Sequence, residues 1–327
     1  MLNTFTDDLV GISLCNGVQA IYIPINHTDS YGNRLTYQVS IQDIKDTFGK
    51  IFNERKFRWV YHNAKFDLAV LRTFFGYQMP NPYWDTMLAG NLLFQDEDHN
   101  LKYLYNRYVA QEDEGVNRFD TLFKGITFNY VPLDIATIYA GKDAFMTYEL
   151  FKYQDKVLST SDMAGVKSVL MNIEMPLLPI LEDMQRTGVN YNQEMSDALY
   201  MKYSERLEKA KTIVYDEINK YKEQIDQYRI EHYKEKLDDP ILISSPSQLS
   251  ILFYKILKYK TKSGKGTGVE DLQEINTPLT RALLEYRKME KLIDAFLIAL
   301  PKQIEPSTGK IHTSLNQYGA ATGKKLA

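Results

Sequence analysis

The N-terminal part of the chain combines short β-type runs with helical patterns. Residues 9–14 and 18–25 are apolar and rich in β-branched side chains, and Asn16-Gly17 between them is a strong signal for a tight hairpin turn. Residues 57–61 form another compact apolar run, which predicts a third strand. Strands mixed with helices in this way predict an α/β layer.

Helical periodicity predicts helices over residues 40–52, 68–75, 86–93 and 101–108. Ser40 is a suitable N-cap for the first of them. A later helix begins near Pro132, which is tolerated in a first turn, and it carries Tyr139 and Asp143. Because four positions separate Tyr139 from Asp143, their side chains share one helix face.

The pattern changes after residue 158 and becomes mainly helical. Helices are predicted over residues 161–233, interrupted by Gly188 as a C-cap, and over residues 247–258 and 279–300. A loop rich in glycine and lysine separates the last two, and the tail, residues 309–327, alternates like a strand. A chain of 327 residues exceeds the usual size of a single core, so we predict two domains, residues 1–158 and 159–327.

Composition narrows the class of protein. The net charge of −3 argues against nucleic-acid binding through overall charge but leaves room for a local basic surface. No apolar run is expected to span a membrane, and the acidic N-terminus is not a secretory signal, so no membrane partner is predicted. Cys15, the single cysteine, excludes an internal disulfide, which fits a cytoplasmic setting in a bacterium or a phage-infected host.

Two short motifs supply two carboxylates and one phenol. Asp67 closes an N-x-x-x-[FY]-D motif that begins at Asn63, and Tyr139 with Asp143 forms Y-x-x-x-D. Oxygen ligands for hard divalent cations, together with a polar group that directs water, are what a two-metal nuclease needs. The plainer alternatives are that Asp67 caps a helix and that Tyr139 and Asp143 form an exposed hydrogen-bonded pair.

A basic loop is the second candidate site. Its lysines flank a glycine-rich tip and are Lys255, Lys258, Lys260, Lys262 and Lys265. Lysines in such a loop neutralise phosphates without reading bases. The alternative is a solvated loop that keeps the protein soluble. The spacing around the tip is not that of a P-loop, and the scattered histidines do not have zinc-site spacing.

These motifs resemble, in order along the chain, segments of the family A DNA polymerases, the Klenow-type bacterial enzymes and their phage relatives. The matching segments are residues 9–14 and 20–24, 63–67 (second exonuclease motif), 84–87, 139–143 (third exonuclease motif), 173–178, 283–288 and 309–317. Each match is weak alone, and the shared order over nearly the whole chain makes the resemblance strong. It implies a ribonuclease H-like α/β exonuclease domain followed by a mainly helical thumb region.

The resemblance implies a proofreading chemistry for the first domain. In that chemistry, two Mg²⁺ or Mn²⁺ ions would assist hydrolysis of the last phosphodiester bond at a single-stranded 3′ end of DNA. Asp67 and Asp143 would be the metal ligands, Tyr139 would orient the attacking water, and Asn63 would fix the loop or the substrate. In the second domain the lysine loop would grip primer-template duplex, and Arg287 and His312 would lie in segments that approach it.

Two departures from the family limit these expectations. The first exonuclease motif, an Asp-x-Glu strand, is expected upstream of residues 9–14, so the first strand and two carboxylates are predicted to be missing; Asp7 and Asp8 lie too near the second strand to replace them. The family continues from T-G-R into palm and fingers, whereas this chain reads Thr322-Gly323-Lys324-Lys325. A frameshift or split gene would explain that change.

The expected function is therefore that of a fragment of a replicative family A polymerase with negligible exonuclease activity alone and no polymerase activity. One alternative is a non-catalytic duplex-binding module. Another is one half of a split polymerase, in which a second chain carries palm and fingers. A third is an inert product of a truncated gene.

Overall fold

The protein was analysed as a computed structural model that describes residues 3–54, 56–111 and 123–318. It divides into two compact units, Met1–Gly188 with His312–Ala327, and Val189–Ile311. The domain boundary at residue 158 stays a prediction, and the first unit continues beyond it. The predicted tail strand is described only to residue 318, so the segment around Lys324 lies outside the described residues.

The first unit begins with the predicted hairpin. Strand β1 (Gly11–Cys15) pairs antiparallel with β2 (Ala20–Pro24). The turn between them is closed by the Asn16 side chain, which accepts from two backbone amides, and by Gly17 at φ +87°. That left-handed conformation is one that glycine adopts without steric cost, so the sequence signal for the hairpin is confirmed.

The elements that follow are α1 (Ile41–Asn53), β3 (Val60–Tyr61), α2 (Ala64–Phe75), β4 (Trp84–Asp85), α3 (Thr86–Leu93) and α4 (Leu101–Tyr105). Helix α1 starts where expected because the Ser40 side chain accepts the Asp43 amide. Strands β3 and β4 pair in parallel, forming a strand pair separate from β1 and β2. The strand predicted over residues 57–61 is thus shorter than expected.

Further α-helices described in this unit are α5 (Leu133–Leu158), α6 (Ala164–Val169) and α7 (Met175–Thr187). Gly188 at φ +64° ends α7, as predicted. Among the described residues, the helical stretch Ser161–Thr187 is long and apolar enough to cross a membrane, contrary to the sequence expectation. Leu170 and Leu178 of this stretch are buried in the core of the unit, and a core helix meets the same criterion, so the evidence for a span is weak.

Helices pack against both strand pairs. Helix α5 packs against β1, β2 and β3. Phe48 of α1 and Phe75 of α2 pack against both the apolar cluster around Ile12 and the one around Trp84. The same helices therefore support both strand pairs, which confirms the predicted α/β architecture.

The second unit is mainly helical, with α8 (Gln193–Asn219), α9 (Lys222–Glu231), α10 (Pro246–Ser250), α11 (Val269–Ile275) and α12 (Pro278–Leu292). A small antiparallel sheet of β5 (Val189–Asn190), β6 (Ile304–Glu305) and β7 (Lys310–Ile311) has the order β5-β7-β6. Helices α8 and α12 pack together around a core that includes Val214, Phe253 and Leu283.

Candidate metal centre and nucleic-acid interface

Asp67 lies in the first turn of α2, directly after the short strand β3. Burial, with the negative charge of Asp85 acting in the same direction, raises the pKa of its carboxyl to about 7. The sequence therefore places Asp67 at a strand-to-helix junction as expected. Asn63, rather than Asp67, occupies the N-cap position of the helix.

Asn63 holds the turn that leads into α2. Its backbone has φ +66° and ψ +51°, a left-handed conformation that asparagine tolerates better than most residues. Its amide donates to Asp85 Oδ1 at 3.2 Å, and the next amide, that of Ala64, donates to Asp85 Oδ2 at 2.7 Å. In the described residues the role seen for Asn63 is to shape the loop that presents Asp67.

Asp85 anchors this site, a role that the sequence analysis did not assign to it when it matched the segment 84–87 to the family. Its buried carboxylate also accepts the amides of Met87 at 2.8 Å and Leu88 at 3.3 Å, so one side chain organises the starts of α2 and α3. Burial raises its pKa, and these amide bonds lower it. The signal was available, because Asp85 directly precedes the predicted helix 86–93.

Tyr139 and Asp143 lie one turn apart on α5, as predicted, and a lysine from α4 engages both. Lys102 Nζ donates to the Tyr139 hydroxyl at 2.6 Å and lies 3.5 Å from Asp143 Oδ1. Burial raises the pKa of Asp143, and the charge of Lys102 lowers it. The Lys102 side chain is only 14% exposed, so its ammonium group is largely withdrawn from water. Sequence patterning had not identified Lys102.

A cleft brings the two candidate aspartates into one site. It has a volume of about 1960 Å³ and is lined by β1, by β3 and by Asp67, Tyr139 and Asp143. Drug-sized ligand pockets typically occupy about 300–1,000 Å³, so this cleft is large. It lies within the first unit, and residues of both strand pairs line it.

Each strand pair turns one edge towards this cleft. The Val10 carbonyl and the Asn16 amide form backbone hydrogen bonds with the β2 side of the hairpin. In an antiparallel ladder, residues alternate between bonding to the partner strand and pointing away from it. The backbone groups of Gly11, Ser13 and Cys15 therefore point to the opposite edge. Just before β3, the Trp59 carbonyl accepts backbone amides on the β4 side. The backbone groups of the next residue, Val60, therefore face away from β4. Both edges belong to residues that line the cleft.

Three buried polar atoms in the cleft lining lack a hydrogen-bond partner within the described part of the chain, Trp59 Nε1, Tyr61 Oη and Asp143 Oδ1, the last of which lies 3.5 Å from Lys102 Nζ. Buried polar groups of this kind are normally satisfied, because leaving one unpaired costs about 1–3 kcal/mol. Burial also raises the pKa of the Tyr61 hydroxyl, with the charge of Asp67 acting in the same direction.

The residues that line this cleft do not by themselves fit a two-cation centre. Within residues 3–54, 56–111 and 123–318, no group of three or more histidine, cysteine, aspartate or glutamate side chains is placed to hold a metal. Two divalent ions require a larger set of oxygen ligands than Asp67 and Asp143 supply. Moreover, the Lys102 ammonium already lies beside one of the two carboxylates.

The basic loop of the second unit is presented at the surface on an anchored base. All five of its predicted DNA-binding lysines are exposed, and four of them form no ion pair with a described residue, Lys258, Lys260, Lys262 and Lys265. Tyr254 Oη donates to the Gly266 carbonyl at 2.6 Å, and Ser263 Oγ donates to Asp271 Oδ1 at 2.5 Å. The loop therefore has a defined base from which lysine side chains extend into solvent.

The remaining predicted DNA-binding residues are engaged within the protein. Lys255 Nζ forms an ion pair with Glu235 at 2.7 Å. Arg287 is half-buried and donates to the Thr267 carbonyl, which ties the loop to α12. His312 belongs to the first unit, where its ring lies 4.2 Å from that of Phe5. The structure therefore brings the exposed lysines together and leaves His312 in a different unit.

Two known families match different parts of the chain. A family described as 3′-5′ exonuclease matches residues 2–159, and a family described as DNA polymerase family A matches residues 206–326. Members of these families generally use divalent metal ions.

Curated relatives match almost the whole chain. The DNA polymerase I of Synechocystis sp. is 30% identical over 99% of this chain, which covers 31% of that protein. The DNA polymerase I of Chloroflexus aurantiacus is 27% identical over 99% of this chain, which covers 33% of that protein. The chain thus spans about one third of the length of these curated relatives.

A solved structure shares the fold. The polymerase domain of Pol1 from M. smegmatis, solved with DNA primer-template and dNTP, aligns with a TM-score of 0.68 at 18% identity, over 96% of this chain and 50% of that one. At this identity the likeness concerns the fold, and it agrees with a ribonuclease H-like domain followed by a helical region. Together with the two family matches and the curated relatives, it shows that this chain belongs to the family A DNA polymerases, of which it carries the 3′-5′ exonuclease region and part of the polymerase region.

Proposed function

We propose that this chain acts in DNA replication as the part of a family A polymerase that holds DNA. Its exonuclease-like site is silent, meaning that it does not hydrolyse DNA by itself. The lysine loop holds primer-template duplex, and the cleft of the first unit receives a single-stranded 3′ end. Asp67 and Asp143 are the residues that would hold Mg²⁺ or Mn²⁺ there, and Tyr139 is the group that would direct water.

The observation that carries this proposal is the composition of the cleft. It retains Asp67 and Asp143, while the Lys102 ammonium lies beside Asp143. A bound pair of divalent cations stabilises both the attacking and the leaving oxygen in hydrolysis. With too few oxygen ligands, that stabilisation is lost, and each 1.36 kcal/mol lost slows the reaction by about tenfold.

The DNA-holding role is supported by the exposed lysines of the second unit. Lys260, Lys262 and Lys265 extend from a loop whose base is fixed by hydrogen bonds, so they can reach phosphates without unfolding the loop. Contacts of this type give salt-dependent affinity without base recognition. The net charge of −3 argues against binding through overall charge, so such binding requires a local basic surface.

A second candidate function is one half of a split polymerase that works with another chain carrying palm and fingers. The cleft favours it, because the outward edges of β1 and β3 offer backbone groups with which a further strand could pair. Co-purification with a chain that carries the palm aspartates would support this arrangement.

The test of the proposed function is a joint measurement of DNA binding and nucleotide release by one preparation. We expect salt-dependent binding to primer-template DNA with no metal-dependent release of mononucleotides. Loss of DNA binding would contradict the holding role, and metal-dependent release would contradict the silent site.

A further inference from the structure

The ammonium group of Lys102 lies between the two functional groups of α5. Its Nζ donates to the Tyr139 hydroxyl at 2.6 Å, lies 3.5 Å from Asp143 Oδ1 and lies 3.8 Å from the centre of the Tyr139 ring. The phenol oxygen and the carboxylate are thus both engaged by one cation that the chain itself supplies.

Local structure fixes the base of this lysine. Lys102 lies in the first turn of α4, where its amide donates to the Asn100 side chain at 3.0 Å. Helix α4 packs against α5, and Leu104 is completely buried beside Gly90 of α3. A Cβ at Gly90 would lie 2.7 Å from Leu104 Cδ1, so the glycine permits this close approach of the helices. The ammonium therefore extends from an immobile backbone.

We propose that Lys102 is an internal counter-ion that occupies the cation position beside Asp143 and keeps divalent metal out. This inference rests on the proposed function of the cleft, since it concerns the same carboxylate. A divalent cation bound to Asp143 would stand within a few ångströms of the ammonium, and like charges repel strongly at that distance in a partly buried site. Metal and ammonium therefore compete for one carboxylate.

The position of Lys102 also affects water. A hydroxyl that accepts a hydrogen bond from an ammonium has one lone pair committed to it, and the Tyr139 oxygen is in that state. One acceptor position of the phenol that would orient a water molecule is thus taken by Lys102. Removing the charge releases both groups from this cation.

The alternative role for Lys102 is a phosphate contact for bound DNA. The geometry favours the counter-ion, because its Nζ is directed at Tyr139 and Asp143 and its side chain is only 14% exposed. The two roles differ in their consequences: a phosphate contact contributes to DNA affinity, whereas a counter-ion opposes metal binding.

The experiment measures Mn²⁺ binding in the absence of DNA, by isothermal calorimetry and electron paramagnetic resonance. Variants Lys102→Met and Lys142→Met are compared with the unaltered chain. Lys142 is exposed and also lowers the pKa of Asp143 through its charge, so its variant makes the same change in net charge without removing the buried contact. We expect Lys102→Met to strengthen Mn²⁺ binding by about tenfold or more, and Lys142→Met to change it by less than about threefold.

The gain must depend on Asp143. In the double variant Lys102→Met with Asp143→Asn, the strengthened binding should disappear. Unchanged Mn²⁺ affinity in Lys102→Met, an equal gain in Lys142→Met, or a gain that survives Asp143→Asn would each overturn the proposal. Unchanged Mn²⁺ affinity with weakened DNA binding would assign the phosphate role instead.

A second measurement uses the unaltered chain and so does not depend on a variant's folding. Lysine labelled with ¹³C at Cε is followed by NMR during titration with Mg²⁺. We expect the Lys102 signal to shift as the site fills at millimolar Mg²⁺, because its ammonium is displaced from Asp143. A signal that stays fixed while Mg²⁺ binds at Asp143 would overturn the proposal. Neither readout involves hydrolysis, so failure of the proposed function would be seen separately.

Discussion

The carboxylate of Asp85 accepts the backbone amide of Ala64 at 2.7 Å, and this bond joins the start of the helix that carries Asp67 to the start of α3. Four amides in all converge on this buried side chain. The position of Asp67 in the cleft therefore depends on a residue that is not itself one of the proposed metal ligands.

The first prediction concerns the stability that this carboxylate contributes. Asp85→Ala leaves several buried amides without an acceptor, so we expect the free energy of unfolding to fall by about 2–5 kcal/mol. Asp85→Asn keeps one oxygen acceptor and should lose less. Urea unfolding followed by circular dichroism gives both values. Asp46→Ala, at an exposed position of α1, is the control and should change stability by less than about 0.5 kcal/mol. Equal stability of the Asp85→Ala variant would show that the amides find other acceptors.

The second prediction concerns pH. Burial lowers the pKa of His62 to about 4, well below its ordinary value of 6.5. Between these values the unfolded chain binds the proton and the folded chain does not. The neutral His62 ring therefore contributes fully to the free energy of unfolding above pH 6.5. As pH falls from 6.5 towards 4, the free energy of unfolding decreases by up to about 1.4 kcal/mol per pH unit.

His62→Gln should flatten that part of the stability profile, measured by urea unfolding from pH 7 to pH 4.5. His232→Gln, at an exposed position of the second unit, is the control for replacing a histidine at the surface. An identical slope in the His62→Gln variant and the unaltered chain would assign the acid sensitivity to other groups.

The third prediction concerns the strand edges that face the cleft. We expect the amides of Gly11, Ser13 and Cys15 to exchange with deuterium faster than those of Ile12 and Leu14, because the latter bond to β2. Hydrogen exchange read by NMR or mass spectrometry separates the two sets. Equal protection along β1 would mean that another segment pairs with its outer edge. A partner that supplies a strand should slow exchange at the outward amides alone.

The fourth prediction concerns the lysine loop. The triple change of Lys260, Lys262 and Lys265 to Gln should weaken binding of primer-template duplex and reduce the slope of log affinity against log salt by about 0.9 per lysine. Fluorescence anisotropy at several salt concentrations measures the slope. The matched control is the triple change of Lys209, Lys211 and Lys220 to Gln, since each of these is paired with a glutamate. If both triple variants lose the same DNA affinity and salt slope, the loss is due to net charge alone.

Sequence patterning predicted the local elements well and the assembly of the site less well. The Asn16-Gly17 hairpin and the bounds of α3 follow from turn and cap residues that act within a few positions. The contact of Lys102 with Tyr139 joins residues 37 positions apart on different helices, and no periodicity in either helix indicates it.

The same limit explains the short strand β3. Residues 57–61 have a β-type pattern, but the strand is limited to Val60–Tyr61 because its partner β4 is itself only Trp84–Asp85. Strand length depends on a neighbour that is distant in sequence, whereas a capped helix satisfies its own backbone. The anchoring role of Asp85 was missed for this reason, because its partner amides at Asn63 and Ala64 precede it by more than twenty positions.

The central claim is that the cleft holds too few free oxygen ligands for two catalytic cations, and an exonuclease assay tests it most directly. Purified chain is incubated with 3′-labelled single-stranded DNA and Mg²⁺ or Mn²⁺, beside the variants Asp67→Ala and Asp143→Ala. We predict no release of labelled mononucleotides above the level seen with either variant. Release by the unaltered chain that both substitutions abolish would contradict the account.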